Sequence, residues 1–434
     1  MIREKKGKMT RRNFIVTGAA AATTAISGFP FVRTSRAQNV EPIKVGLIGC
    51  GGRGTGAADN CLNAAPDMHL VALADLFPDR IERCKNLLTD PKRRGGPLSG
   101  FEVKDDHCFS GFNAFKRLLE TDVDYVILAE PPGFRPDYFT TAVNAGKHVF
   151  MEKPVAVDPV GVRKVMEAGR KAKQKGLGVV AGTQRRHQQS YRDTIKRIHD
   201  GAIGEIVSAQ CYWIGDTGYH ESTFPNRRDA GWTDMEWQIR NWYYFCWLSG
   251  DHIVEQHVHN IDVINWVLGT HPVKALGTGG RQVRIDPLFG SIYDHFAVDF
   301  EYPDEVHVMS MCRQMAKCDN RVSEFIVGNK GKSNPNGEIT GANEWKFKGK
   351  SPNPYVQEHA DLIESIRNGN PLNEAQNVAE SVMTAIMGRE SAYTGKEVTW
   401  DEMMNSDLDL FPKKLEFGPI SVRPVPMPGQ PRPR

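Results

Sequence analysis

Six residues near the start of the chain constrain its fold more than any others. Gly49-Cys50-Gly51-Gly52-Arg53-Gly54 has the spacing GxGxxG. It follows a short apolar run with Ile43, Val45, Leu47 and Ile48, and the chain reads as helix from Ala57-Ala58 onward. Such a run is typical of a buried parallel strand. Gly49 then permits the tight turn, and Gly51 lets backbone N–H groups approach a pyrophosphate. Gly54 lets the helix lie close to the strand, with its N-terminus facing the phosphate charge. The spacing alone is a weak signal, and its context makes it specific. A second apolar run, Met68 to Ala74, ends in Asp75. A carboxylate there accepts hydrogen bonds from the adenosine ribose and repels a 2′-phosphate. The expected cofactor is therefore NAD, with Arg80 and Arg83 close enough in sequence to leave room for NADP.

The strand–helix alternation continues. Asp124 to Ala129 reads as a strand ending in Glu130-Pro131-Pro132, and Asp137 to Ala145 as a helix closed by Gly146. His148 to Met151 is a strand ending in Glu152-Lys153-Pro154, Val160 to Lys175 a helix, and Gly178 to Ala181 a last strand. Ligands of such sheets bind beyond the carboxyl ends of the strands, where Asp75, Glu130 and Lys153 fall.

Residues 1–37 read as an address. Thr10-Arg11-Arg12-Asn13-Phe14-Ile15 follows a basic stretch and precedes a modestly apolar one, Phe14 to Phe31, with Ser35-Arg36-Ala37 as a cleavage site. This is a secretory layout, and the paired arginines make it twin-arginine type, so a periplasmic or otherwise exported protein using that machinery is expected. The net charge of +3 is misleading. Residues 1–37 carry +7, from eight Lys/Arg and one acid, which leaves −4 on the rest. Nothing there argues for nucleic acid as a partner. Eight scattered cysteines form no CxxC pair, which speaks against a zinc ribbon. No metal is expected.

These features together resemble the glucose–fructose oxidoreductase / inositol dehydrogenase family (Gfo/Idh/MocA). The residues that carry the resemblance are the Gly49–Gly54 loop, Asp75, Pro131-Pro132, and Gly146-Lys147-His148-Val149-Phe150-Met151-Glu152-Lys153-Pro154, which is similar to a family signature. The resemblance spans roughly Pro42 to Trp400. It implies an α/β protein with a Rossmann domain over 42–182. A second α/β domain over 183–412 would be built on a large, open, mostly antiparallel sheet, with a Pro/Arg-rich tail over 413–434. It also implies a homo-oligomer, dimer or tetramer. By the same resemblance Gly49, Gly51, Gly52, Arg53, Gly54, Asp75, Pro131, Glu152 and Lys153 hold the cofactor.

A second signature matches Glu255-Gln256-His257-Val258-His259-Asn260-Ile261-Asp262. Carried over by position, His259 is the catalytic base and Asp262 a substrate contact, with Glu255 where the family has Asp. His257 replaces a glycine, which puts an extra imidazole beside the base, placed to contact substrate, to reshape the pocket or to compete for the base role. Glu255 and His259 are four apart and share a face if the segment is one helix. An acid bonded to one imidazole nitrogen would raise the basicity of the other. His252, Glu255, His257 and His259 match no common metal spacing.

Hydride would then leave a secondary alcohol carbon of a sugar, polyol or glycoside while His259 takes the hydroxyl proton and Lys153 stabilises the alkoxide. Arg185, in Gln184-Arg185-Arg186-His187 after the last Rossmann strand, is the expected substrate contact at the domain junction. Aromatic residues crowd Trp237 to Trp247 and offer faces for sugar rings, or a core. Tyr355 to Tyr393 reads as two helices broken at Asn368-Gly369 and Pro371. The tail from Gly418 should be extended and is placed to embrace a partner subunit. Some relatives are NAD-dependent glycosidases that oxidise transiently and eliminate the aglycone. They lack the signature lysine, so Lys153 favours the dehydrogenase. A non-catalytic sugar or NAD sensor is disfavoured by Lys153 and His259.

If the address reading holds, Arg11→Lys with Arg12→Lys should strand the precursor in the cytoplasm. Cell fractionation and immunoblotting would show this, and processed, exported protein at the usual level would refute it.

Overall fold

The structure is a computed structural model that describes residues 41–93, 96–215 and 227–430. The expected signal peptide therefore lies outside the described residues. No helix among the described residues is long and apolar enough to cross a membrane.

The first half is a six-stranded parallel sheet: β1 (Ile43–Ile48), β2 (Met68–Asp75), β3 (Cys108–Ser110), β4 (Tyr125–Leu128), β5 (His148–Met151) and β6 (Val179–Ala181), in spatial order 3-2-1-4-5-6. That is the dinucleotide-binding order, in which the order of the strands, all parallel, reverses between β1 and β4. The helices α1 (Gly52–Leu62), α2 (Pro78–Thr89), α3 (Ala114–Leu119), α4 (Arg135–Asn144) and α5 (Pro159–Gln174) connect the strands. All four residues of β4 are buried, as both-face coverage requires. The sequence reading missed β3, and it placed β5 at its observed bounds. Asp75 proves to be the last residue of β2.

The second half begins with α6 (Gln189–His199) and builds a nine-stranded mixed sheet. Its strands are β7 (Ile206–Gly215), β8 (Lys274–Gly280), β9 (His295–Tyr302), β10 (Val306–Gln314), β11 (Arg321–Gly328), β12 (Gly331–Asn334), β13 (Glu338–Gly341), β14 (Trp345–Lys346) and β15 (Val398–Thr399). The order is 14-13-12-11-7-10-9-8-15, antiparallel throughout except between β7 and β10. One face carries α7 (His252–Glu255) and α8 (Val258–Leu268). The two expected C-terminal helices are α9 (Pro354–Arg367) and α10 (Ala375–Thr394). Helix α10 is buried along nearly its whole length, because it packs on β8 and β9 and on α5 of the first half. A helix covered all round holds apolar residues on every side, as Val378, Val382, Met383, Ile386 and Met387 do here.

Of the two uses open to the aromatic run, these rings take the core: Trp237, Tyr243, Tyr244, Phe245 and Trp247 are all buried. The described part of the tail runs back over its own chain. Phe417 packs on Phe77 and Phe112 of the first half, and the carbonyl of Pro426 accepts from the Tyr293 hydroxyl.

The junction between the halves contains an ion cluster. His187 Nδ1 lies 2.6 Å from Asp361, and its Nε2 lies 3.2 Å from Glu374. Burial alone would lower the imidazole pKa, but Glu374 and Asp361 hold it at about 9. A pKa raised on folding stabilises the native state below the unfolded value near 6.5, and that stability fades as pH rises through 9. The loss is of order 3 kcal/mol. Urea unfolding at pH 6 and pH 9 should show it, and His187→Gln should flatten the difference. An unchanged difference in the variant would count against the cluster.

Candidate functional site

The glycine loop has the shape a dinucleotide needs. Gly49 has φ +95°, and a Cβ there would lie 2.5 Å from the backbone of Ala129 and Glu130. A Cβ on Gly54 would lie 1.8 Å from the Gly49 carbonyl oxygen, so α1 can pack this close only through glycine. A Cβ on Gly51 or Gly52 would meet nothing within 4 Å, which leaves an open cradle over the start of α1. Gly51 caps that helix without a side-chain bond, and no acid sits in its first turn, so the helix end is left to an anion. These observations fit a dinucleotide phosphate.

Asp75 closes the cradle from β2. Its Oδ2 accepts from the Cys50 N–H at 2.7 Å and its Oδ1 from the Phe77 N–H at 2.9 Å. Burial pushes its pKa up against these two bonds. Each oxygen keeps a further lone pair for a ribose hydroxyl. Arg53 does not hang free over the cradle. It pairs with the buried Glu152 and lies over the Tyr355 ring at 5.1 Å. Glu152 thereby ties the end of β5 to α1. Pro131 leads into a short turn, Pro132–Phe134, beyond β4.

Lys153 follows Glu152, and its own bond to Pro154 is cis. Its ammonium donates to the Glu255 carboxylate at 2.8 Å and to the Glu255 carbonyl at 2.6 Å. The shared helical face expected for Glu255 and His259 is not observed. The helix breaks at Gln256-His257, so Glu255 ends α7 and His259 enters α8. Glu255 consequently serves Lys153 rather than the imidazole.

His259 is buried, its Nδ1 has no hydrogen-bond partner, and its ring stacks on Trp213 at 5.7 Å. Burial, then the charges of Lys153, Arg185 and Arg53, push its pKa well below the usual value. It is a neutral imidazole, the form that can accept a proton. Arg185 stands by, paired with Glu324 and 5.8 Å from the Trp213 ring. The structure therefore brings Lys153, Glu255, His259 and Arg185 together.

His257 and Asp262 are corrections. His257 turns onto the sheet, with Nε2 2.7 Å from Ser310 Oγ and 3.7 Å from Cys211 Sγ. Burial and the Arg185 charge lower its pKa to about 3. It does not compete for the base role, because its ring faces β7 and β10. Asp262 accepts two bonds from Arg186, at 2.8 and 2.9 Å, and one from Ser381 at 2.8 Å. It locks α8 to α10 and the junction, and no sugar hydroxyl is needed to satisfy it. Among the described residues no three His, Cys, Asp or Glu converge as a metal site.

The sequence reading missed Glu324, Glu358 and Tyr355. Glu324 faces inward on β11 while the neighbouring Phe325 is exposed, and a carboxylate in phase with Ile326 was the available signal. Glu358 is fully buried on α9, with one Arg53 nitrogen 3.8 Å away. Burial, then Glu152, drives its pKa well up. Nothing in the sequence of α9 marks it as unlike an ordinary helix-surface acid.

Comparisons with known proteins agree with this geometry. Residues 43–182 match a family model described as an oxidoreductase family, NAD-binding Rossmann fold, and residues 191–333 match the C-terminal domain model of the same family. The chain is 25% identical over 256 residues to inositol 2-dehydrogenase of Rhizobium meliloti, covering 59% of this chain and 63% of that protein. It is 31% identical over 135 residues to glycosyl hydrolase family 109 protein 1 of Bacteroides thetaiotaomicron, covering 31% of this chain and 27% of that one. The matched stretches thus take in less than two thirds of these relatives. The fold matches scyllo-inositol dehydrogenase from Lactobacillus casei, solved with NAD(H) and scyllo-inositol, at TM-score 0.62 and 21% identity over 83% of this chain and 99% of that one. With both of its domains matched in order, and the glycine cradle and strand-end lysine in place, the chain belongs to the Gfo/Idh/MocA family, with an NAD-binding Rossmann domain.

Proposed function

We propose that this chain is an exported, NAD-dependent oxidoreductase that oxidises a secondary hydroxyl of a sugar, polyol or glycoside. The observation that carries the reading is the neutral His259 beside Lys153, at the carboxyl end of β5 where the cofactor cradle opens. The Gly49–Gly54 loop holds the pyrophosphate, and Asp75 receives the adenosine ribose, which favours NAD over NADP. A bound nicotinamide would supply the hydride acceptor for the alcohol carbon. His259 takes the hydroxyl proton, so the C–O single bond becomes a carbonyl. Lys153 donates to the same oxygen and stabilises its developing charge. Glu255 holds that ammonium through two acceptors and keeps it aimed, while the half-buried Trp213 covers one face of His259.

An oligomer fits the outer face of the second sheet. Leu276, Met309, Met311 and Phe325 are exposed there, a patch that a second copy of the chain would cover. The glycosidase remains the second reading, favoured by the stretch shared with the family 109 glycosyl hydrolase. It would use the same base and cofactor, with release of an aglycone and no net NADH.

Lys153→Ala and His259→Asn should each lower kcat by about 10²–10⁴-fold with the fold intact. NADH formation at 340 nm with a sugar panel, beside circular dichroism, measures both. Normal turnover in Lys153→Ala would sink the scheme, and aglycone release without NADH would select the glycosidase.

A further inference from the structure

Arg284 is 1% exposed, and its Nε, Nη1 and Nη2 are all buried without a hydrogen-bond partner. A guanidinium carries five N–H donors and cannot shed its charge. Burying it unpaired costs several kcal/mol, so proteins pair such groups. The neighbouring acids are committed. Asp294 accepts from the backbone N–H groups of Gln282, Val283 and Arg284 and contacts His295. Asp251 accepts from the N–H groups of His252 and Tyr293 and from the Tyr393 hydroxyl. The loop also inverts the usual burial. Val283 is 50% exposed and Ile285 76%, while the arginine between them points inward.

Its place relates it to the candidate active site. The guanidinium lies 5.7 Å from the Tyr244 ring and 5.9 Å from the Phe289 ring. The adjacent Tyr243 hydroxyl feels the charges of both Glu255 and Arg284. That hydroxyl accepts from Gln314 Nε2 at 2.6 Å, and the same nitrogen reaches Gln256 Oε1 at 2.6 Å. Gln256 follows Glu255, the residue that holds Lys153. A second buried atom without a partner, Gln314 Oε1, lies on this path and can accept from a sugar hydroxyl.

We propose that the substrate is an acidic sugar whose carboxylate docks on Arg284. The fork of donors matches a planar carboxylate through two parallel bonds. This assignment rests on the sugar-oxidoreductase reading for the neighbouring site. It also explains the local excess of positive charge: Lys153 and Arg185 each have their acid, and Arg284 has none among the described residues.

The test uses the full chain loaded with NAD. Glucuronate, galacturonate and mannuronate are compared with glucose, galactose and mannose, with glucose 6-phosphate as a phosphate arm. Calorimetry reads binding and absorbance reads NADH. At least one uronate should bind about 100-fold tighter than its neutral parent, equivalent to about 2.7 kcal/mol. Arg284→Met should reduce that uronate to the affinity of the parent. Without ligand the variant should melt no lower than the unaltered chain, because an unpaired buried cation has been removed. Equal binding of acid and neutral forms, or no binding of any uronate, would overturn the proposal. So would a lower melting point in the variant with an equal loss for acid and neutral sugars. Tighter binding of glucose 6-phosphate than of every uronate would overturn the carboxylate. If the variant does not fold, the acid-to-neutral ratio in the unaltered chain decides. Binding of a uronate that depends on Arg284, with no NADH from any ligand, would sink the oxidoreductase reading and leave the anion site standing. Oxidation of neutral sugars alone would do the reverse.

Discussion

The bond between Lys153 and Glu255 is the contact on which the site depends. It joins the end of a Rossmann strand to the start of the helical layer on the second sheet. A lysine at a strand end has a long, flexible stem and would otherwise sweep a wide arc. Two acceptors on one residue, a carboxylate and a carbonyl, remove that freedom before any substrate arrives. The cost in side-chain entropy falls on folding rather than on binding, which is what preorganisation means in a site that must stabilise transient charge. The break in the helix after Glu255 makes this possible. In an unbroken helix the carbonyl of Glu255 would be committed to the residue four positions on.

Around that bond the charges are arranged in pairs with one gap. Arg53 answers Glu152, Arg185 answers Glu324, and Arg186 answers Asp262. These pairs tie α1 to the end of β5, and the turn after β6 to β11 and to α8, so they act as rivets as well as charges. His259 is held neutral first by its burial and then by the cations around it. An oxidation that removes a proton from a bound alcohol benefits, since positive surroundings favour the alkoxide and disfavour the imidazolium. The base is thereby weak until negative charge enters beside it, and an anionic substrate would supply that charge.

The sequence was legible wherever local chemistry dictates local shape. The glycine loop, the acid after β2, and β5 with its Glu-Lys-Pro ending follow from backbone reach and burial within a few residues. The short strand β3 was not legible. Its three residues follow Lys104-Asp105-Asp106-His107, and they pair only because β2 offers an edge. The helix break at Gln256-His257 was hidden as well, because apolar residues continue on both sides and the turn is set by the sheet beneath His257. Composition could not separate a sugar platform from a core, since the Trp237–Trp247 rings would look alike in either. Asp262 was misplaced for a related reason. Its partner Arg186 is 76 positions away, and only the tertiary fold brings them into bidentate contact.

The tail carries a consequence for the life of the chain. Phe77 and Phe112 belong to the half made first, and Phe417, among the residues made late, covers them. At about 5–20 residues per second, some 300 residues of synthesis leave those rings waiting for tens of seconds. The first half can close its parallel sheet in that time, but its aromatic surface stays wet until the end of the message is read. A chain cut short by even its last few dozen residues would keep a sticky patch in view of chaperones and proteases. The fold thus contains a proof of its own completion.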